Sequence, residues 1–283
     1  MTVTLNDGIS LERGAGWCHL RFKQGLAGTT RLADLDQHAP ARALFPSAEP
    51  GMPPEAVLLT TSGGLADGDR IDLSCAMDSG TQARVAAQAA EKIYRARGLK
   101  PAQVRVDLKI GAGARLDWLP QETILFDRSR LDRAITTDVA TGGWLTVSDM
   151  VVFGRIARSE RFRSGMFADR WTLRNGGTPV WIDATRLEGP RLGLLEHRYG
   201  YAGAESVGLW AGQGSGATVD LRNALRDALA DAKCRAAVTL LDGLVIARFL
   251  GEAQTVRRAM IAVILAERQH AGLTIDLPRV WHS

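Results

Sequence analysis

Between residues 17 and 188 the chain alternates apolar and polar positions with a period of two. Val104, Val106, Leu108 and Ile110 are interleaved with Arg105, Asp107 and Lys109. Successive side chains of a strand point to opposite faces, so this segment predicts a strand with one buried face. Gly111-Ala112-Gly113 follows, after which Ala114, Leu116 and Trp118 alternate with Arg115 and Asp117. Two strands around a glycine turn predict a hairpin. The design recurs with Ile135, Thr137 and Val139, then Gly142-Gly143, then a strand over 144–153. Further strands are expected over 17–22, 71–76, 84–88, 169–174 and 180–186. Thirty glycines provide many tight turns. No repeat of fixed length stands out.

Beyond Gly189 the pattern changes. Residues 194–216 are rich in glycine and aromatics and predict a loop or a pair of short strands. Over 220–237, Leu221, Leu225, Ala228, Leu229 and Ala232 fall on one stripe, an amphipathic helix. A short strand is expected over 244–249, after Asp242-Gly243. A second helix over 252–270 has an acidic start, a basic end and Gly272 as a stop. Its apolar residues Val256, Met260, Ile261, Val263, Ile264 and Leu265 span more than one stripe, which predicts burial by the core and by a partner. The expected architecture is therefore mainly β, one domain across 1–283. It is β-rich over 15–190, with two or more α-helices in the carboxy-terminal part, 217–283.

Composition narrows the function. No stretch reaches the roughly 20 apolar residues of a membrane span, and the run 259–266 stops well short. Met1 to Ser10 has no basic segment leading into an apolar one, so no signal peptide is expected. Three scattered cysteines, Cys18, Cys75 and Cys234, fit a cytoplasmic protein without a disulfide framework. The net charge is +4 and the pI about 9.2, but only five of the 35 basic residues are lysine. Arginine suits bidentate contacts and interfaces. The densest basic stretch, Arg155, Arg158, Arg161, Arg163, Arg170 and Arg174, reads either as solvated strand faces paired with acids or as a protein interface. Its aromatics form no nucleic-acid signature.

Several chemistries are missing. No lysine precedes Ser or Thr, which excludes a Gly-Lys-Ser/Thr phosphate loop. The five histidines never fall at i, i+2 or i, i+4, and no Cys-x-x-Cys occurs, against a closed zinc site. No Gly-x-Ser-x-Gly elbow is present. Cys18 and His19 are neighbours, which on a strand places them on opposite faces.

Four segments together resemble the urease accessory protein D family, called H in some bacteria. They are Thr61-Ser62-Gly63-Gly64-Leu65-Ala66-Asp67-Gly68-Asp69 and Ala89-Ala90-Glu91-Lys92-Ile93-Tyr94-Arg95. The third joins Trp118-Leu119-Pro120-Gln121-Glu122-Thr123-Ile124-Leu125-Phe126 to Val152-Phe153-Gly154-Arg155. The fourth is Asp242-Gly243-Leu244-Val245-Ile246-Ala247-Arg248-Phe249-Leu250-Gly251, closing with Pro278-Arg279-Val280-Trp281. Ser159-Glu160 stands where the family commonly has Gly-Glu, and the last helix lacks the family's tryptophan. The resemblance implies an elongated β fold with a few helices and no enzymatic activity. It also implies a complex with the urease structural subunits and accessory protein F, joined by the nucleotide-hydrolysing protein G, which brings nickel. No cofactor is expected to bind tightly, nickel only transiently, and neither nucleic acid nor membrane is an expected partner.

A conduit for a divalent cation needs oxygen ligands that admit the ion and release it, whereas thiolate or imidazole clusters hold nickel tightly. The candidates for such a path are Asp67, Asp69, Glu91, Glu122, Asp149, Glu160 and Glu188. Asp67 and Asp69 flank Gly68 and equally suit a turn cap; Glu91 equally suits a surface pair with Lys92 or Arg95. Glu122, inside an apolar run, is expected to meet an arginine or water. Asp149 lies between Val147 and Val151 on the apolar face, with Arg155 as a candidate counter-ion. For partner contacts the candidates are Tyr94, Arg95, Arg155, Arg248, Met260, Ile264, Arg279 and Trp281. Two rival readings are a pure scaffold without nickel passage and a β-rich glycoside hydrolase using Glu122 with Asp149 as a carboxylate pair.

Overall fold

The computed structural model describes residues 13–47 and 51–282, so the segment Met1 to Ser10 lies outside the described residues. The strands in chain order are β1 (Ala15–Gln24), β2 (Thr30–His38), β3 (Ala41–Leu44), β4 (Glu55–Thr60), β5 (Arg70–Met77) and β6 (Gln82–Ala87). Next come β7 (Glu91–Ile93), β8 (Ala102–Ile110), β9 (Arg115–Leu119), β10 (Thr123–Leu125), β11 (Arg130–Val139) and β12 (Trp144–Phe153). The last five are β13 (Met166–Asn175), β14 (Thr178–Glu188), β15 (Ser206–Gly214), β16 (Arg235–Leu241) and β17 (Leu244–Gly251). Two α-helices, α1 (Val219–Ala228) and α2 (Ala253–His270), fall in the carboxy-terminal third, as expected of a mainly β chain.

The strands form two sheets. A seven-stranded sheet runs β14-β13-β11-β8-β5-β1-β2, and a ten-stranded sheet runs β16-β17-β15-β12-β9-β6-β4-β3 with β10 and β7 attached beside β12. The two predicted hairpins do not form. β8 belongs to the first sheet and β9 to the second, and β11 and β12 are divided in the same way. Each glycine turn is a corner that carries the chain from one sheet to the other. β5, β8, β11 and β13 then pair in parallel in one layer, and β6, β9 and β12 in the other, so the centre of the molecule is a wound coil.

The corners stack. Ala114 N donates to Gly111 O and Gly143 N to Ala140 O, closing turns that stack through Ala140 N to Ile110 O and Trp144 N to Ala114 O, while Gly80 N to Ala112 O and Gly111 N to Met77 O seat the first turn on the corner before it. A Cβ on Gly111 would lie 2.7 Å from Met77 O, and one on Gly143 2.9 Å from Gly111 O. Only glycine allows backbones this close. Coil lengths differ, because the return segments differ while the corners do not. This is why no fixed repeat is visible in the sequence.

Two apolar layers follow. The first lies between the sheets and includes Phe22, Leu108, Leu131, Val147 and Trp171; the second lies between the outer face of the ten-stranded sheet and the helices and includes Trp144, Met150, Trp210, Phe249, Met260 and Ile264. β12 is covered on both faces, so every one of its residues is buried. The helix expected over 220–237 ends at Ala228, and Arg235–Leu241 instead pairs with β17 as an edge strand. α2 packs against α1 as well as the sheet, and Leu277, Val280 and Trp281 join the same layer, while Ile261 and Leu265 stay partly exposed.

Candidate functional site

The ten-stranded sheet is split. β6 ends at Ala87 and β7 begins at Glu91; β9 ends at Leu119 and β10 begins at Thr123. β12 spans both rows, pairing β9 through Val147 and β10 from Val151. The gap therefore lies beside Ser148, Asp149 and Met150, with 120–122 and 88–90 as its other margins. Gln121, Pro120 and Asp149 line a cavity of about 230 Å³ that runs between the sheets towards Glu91 and Thr60. A second cavity, of about 90 Å³, is lined by Asp169, Asp183 and Arg248, and the two share Asp149 and Trp171 as wall residues.

A buried ionic triad stands where the cavities meet. Arg133 of β11 donates Nη1 and Nη2 to the Asp149 carboxylate of β12 at 2.7 and 2.6 Å. The same guanidinium donates Nε and Nη2 to Asp169 of β13, each at 2.9 Å, and Trp171 Nε1 also donates to Asp169 at 2.9 Å. Two carboxylates share one cation, so the group is net negative while both are ionised. Burial disfavours the charge on Arg133, but the two carboxylates outweigh it and raise its pKa. Burial pushes the Asp149 carboxyl above its ordinary range, against the pull of Arg133. The counter-ion of Asp149 is thus Arg133 and not Arg155, which pairs with Glu160.

The other predicted acids divide into three kinds. Asp67 accepts from Gly98 N and pairs with Arg13, and Asp69 accepts from Gly14 N and Ala66 N. Asp69 caps the turn through Ala66 N, whereas Asp67 ties the turn to Gly98 and Arg13. Glu160 accepts from Asp127 N as well as Arg155, and Glu188 is shared by Arg130 and Arg186. Glu122 meets Arg257 at 2.9 Å on the margin of the gap. Glu91 lines the larger cavity and pairs with neither Lys92 nor Arg95; it accepts from Thr60 Oγ1 at 2.6 Å, and burial raises its pKa. Of the seven, Glu91 and Asp149 line the cavity. Glu122 and Asp149 are each held by a separate arginine and only Asp149 is a wall residue, which removes the basis for pairing them as a hydrolase dyad.

Three of the family-like segments meet. Leu65 N donates to Lys92 O, Tyr94 N to Leu65 O and Tyr94 Oη to Gly63 O. A Cβ on Gly64 would lie 2.6 Å from Lys92 O, so the Gly-Gly turn is shaped to receive the Lys-Ile-Tyr-Arg segment. Phe126 packs edge-on against Tyr94 and under the Arg155 guanidinium. Arg95 and Arg279 are exposed, and exposed Arg248 pairs with Asp183 beside Trp181. Met260, Ile264 and Trp281 are buried in the layer under α2, so these three present no free surface to a partner.

Residues 14–282 match the family described as UreD urease accessory protein. "Urease accessory protein UreD 3" of Bradyrhizobium sp. strain BTAi1 is 38% identical over 272 residues, 95% of this chain and 93% of the relative. "Urease accessory protein UreD" of Rhodopseudomonas palustris strain BisB18 is 39% identical over 259 residues, 90% of each chain. The chain belongs to the UreD family. Its fold and cavities are therefore those of a urease accessory protein, with a role in urease maturation. Among the described residues, no group of three or more His, Cys, Asp or Glu is placed to hold a metal ion, and no helix is long and apolar enough to cross a membrane.

Arg133, Asp169, Trp171 and Gln121 were not among the expected site residues. Leu131-Arg133-Ile135 and Phe167-Asp169-Trp171 carry the same signal as Val147-Asp149-Val151, a charge at an apolar position of a strand. Applied to every strand, that rule finds all three members of the triad. Gln121 has no such signal, because its role depends on where the sheet breaks.

Proposed function

We propose that this chain binds the urease apoprotein and bridges it to accessory protein F and, through F, to the nucleotide-hydrolysing protein G. Nickel is its cargo and passes through the interior. The chain performs no bond-making chemistry of its own. The observation that carries this reading is the position of Asp149: a carboxylate of a net-negative triad, at the gap in a sheet, on the wall of both cavities. Glu91 on the larger cavity and Asp183, paired with Arg248, on the smaller one add further carboxylate oxygens. Carboxylates and waters attract a divalent cation without the tight hold of a thiolate or imidazole cluster.

The test replaces Asp149 with Asn, which keeps the shape and removes the charge. Urease made in cells carrying Asp149→Asn is expected to contain several-fold less nickel, while the variant still co-purifies with urease and F. Full nickel content with the complex intact would reduce the chain to a scaffold.

A further inference from the structure

The gap in the ten-stranded sheet is closed on its outer side by the end of the chain. Trp281 Nε1 donates to Leu119 O at 3.0 Å, and Gln121 Nε2 donates to Val280 O at 2.7 Å. Arg257 of α2 donates Nη1 to Gln121 Oε1 at 2.8 Å and to Glu122 Oε2 at 2.9 Å, and Nη2 to Trp281 O at 3.3 Å. Its guanidinium also lies 4.9 Å from the centre of the Trp281 ring. One arginine and one tryptophan thus hold the margin at Leu119, Gln121 and Glu122. Gln121 has both ends of its amide bonded and is a wall residue of the larger cavity.

The margin residues 120–122 fall between β9 and β10, outside any strand, with one backbone bond, Glu91 N to Glu122 O, at their far end. Side-chain bonds to Arg257 and to residues 280–281 hold the rest. If Arg257 is lost, Gln121 Oε1 loses its donor, and if Trp281 is lost, Leu119 O loses its donor and Arg257 its ring contact, so in either case movement of the margin towards water becomes favourable. Residues 279–281 form only a single 3-10 turn, so their seat can open without breaking a sheet ladder. The chain end is nevertheless anchored further back, where Asp276 meets Arg84 and Arg268 at 2.9 and 2.8 Å. Detachment is therefore confined to the last few residues and does not free α2.

We propose that Arg257 and Trp281 are positioning residues that set the width of the gap through Gln121, so that the cavity opens when the chain end leaves its seat. The proposal rests on reading the cavity as a route, but its structural half is tested on the chain alone. Val147 is buried, lines the cavity and lies next to the gap. In the full chain carrying Val147→Cys, the introduced thiol is timed with iodoacetamide, with buried Cys18 and Cys75 as internal references. Adding Arg257→Gln or Trp281→Ala is expected to speed alkylation at 147 by about 10-fold, the first through loss of a part-buried charge-assisted hydrogen bond to Gln121, the second through loss of the Trp281–Leu119 bond. The reference thiols should stay at their original rates.

An unchanged rate at 147, or an equal rise at all three thiols, would overturn the proposal, the second because it signals general loosening. If Val147→Cys does not fold, amide exchange at 121–123 and 148–150, without the added cysteine, replaces it: faster exchange confined to these segments supports the clamp, and unchanged exchange overturns it. Faster labelling with unchanged urease nickel in cells would leave the clamp standing and remove the transit reading. Unchanged labelling with nickel loss in Asp149→Asn would do the reverse.

Discussion

Glu91 is a half-buried carboxylate on the cavity wall that accepts a hydrogen bond from Thr60. Its pKa in the folded chain is above the ordinary value of 4.5, because burial disfavours the charge. Between the ordinary and the raised value, the folded chain keeps a proton that the unfolded chain has released. Stability therefore falls as pH rises through that window, and the loss persists above it. Glu91→Gln keeps an acceptor for Thr60 and removes the charge. Its thermal midpoint should exceed that of the parent at pH 7 and converge with it as pH falls below the window. Equal midpoints across the whole pH range would show that burial does not strain this group. Asp149 has the same raised direction but sits against Arg133, and that neighbour was found only in the structure. Alternation within one strand exposes a charge on the apolar face, whereas its partner, many residues away, depends on which strands become neighbours.

At the scale of elements, strand existence was legible and strand pairing was not. Period-two patterning located β1, β5, β6, β8, β9, β11, β12, β13, β14 and β17. It said nothing of which sheet each joins, and a glycine turn between two strands looks the same whether the chain folds back or turns a corner. The short strands β3, β7 and β10 are too brief to show a period, and β16 was absorbed into the preceding helical stripe. The corners make a prediction of their own. Gly111→Ala places a methyl against Met77 O, a backbone atom that cannot swing aside, and should cost about 3 kcal/mol in urea unfolding. Gly113→Ala meets no atom within 4 Å but keeps a φ of +65°, and should cost only about 1 kcal/mol. The reverse order would mean that the corners are not packed on one another.

Across the whole molecule, the triad is a clip between layers: Arg133 and Asp169 come from the seven-stranded sheet and Asp149 from the ten-stranded one. Its members are costly to separate, because removing the cation leaves two buried carboxylates facing each other. Arg133→Met should lower the unfolding free energy by about 3–5 kcal/mol, read from urea titration. A loss within the scatter of surface changes would mean that water already reaches the triad and screens it.

The wound coil carries a consequence for how such a chain can diverge. Its corners are spatially confined, so an added residue there would shift the register of every later turn. On the opposite side the connections are unequal in length, and they include the segments that border the gap. Lineages can lengthen or shorten them while both sheets keep their alignment. The aperture of the interior is thus the part of this architecture most open to retuning.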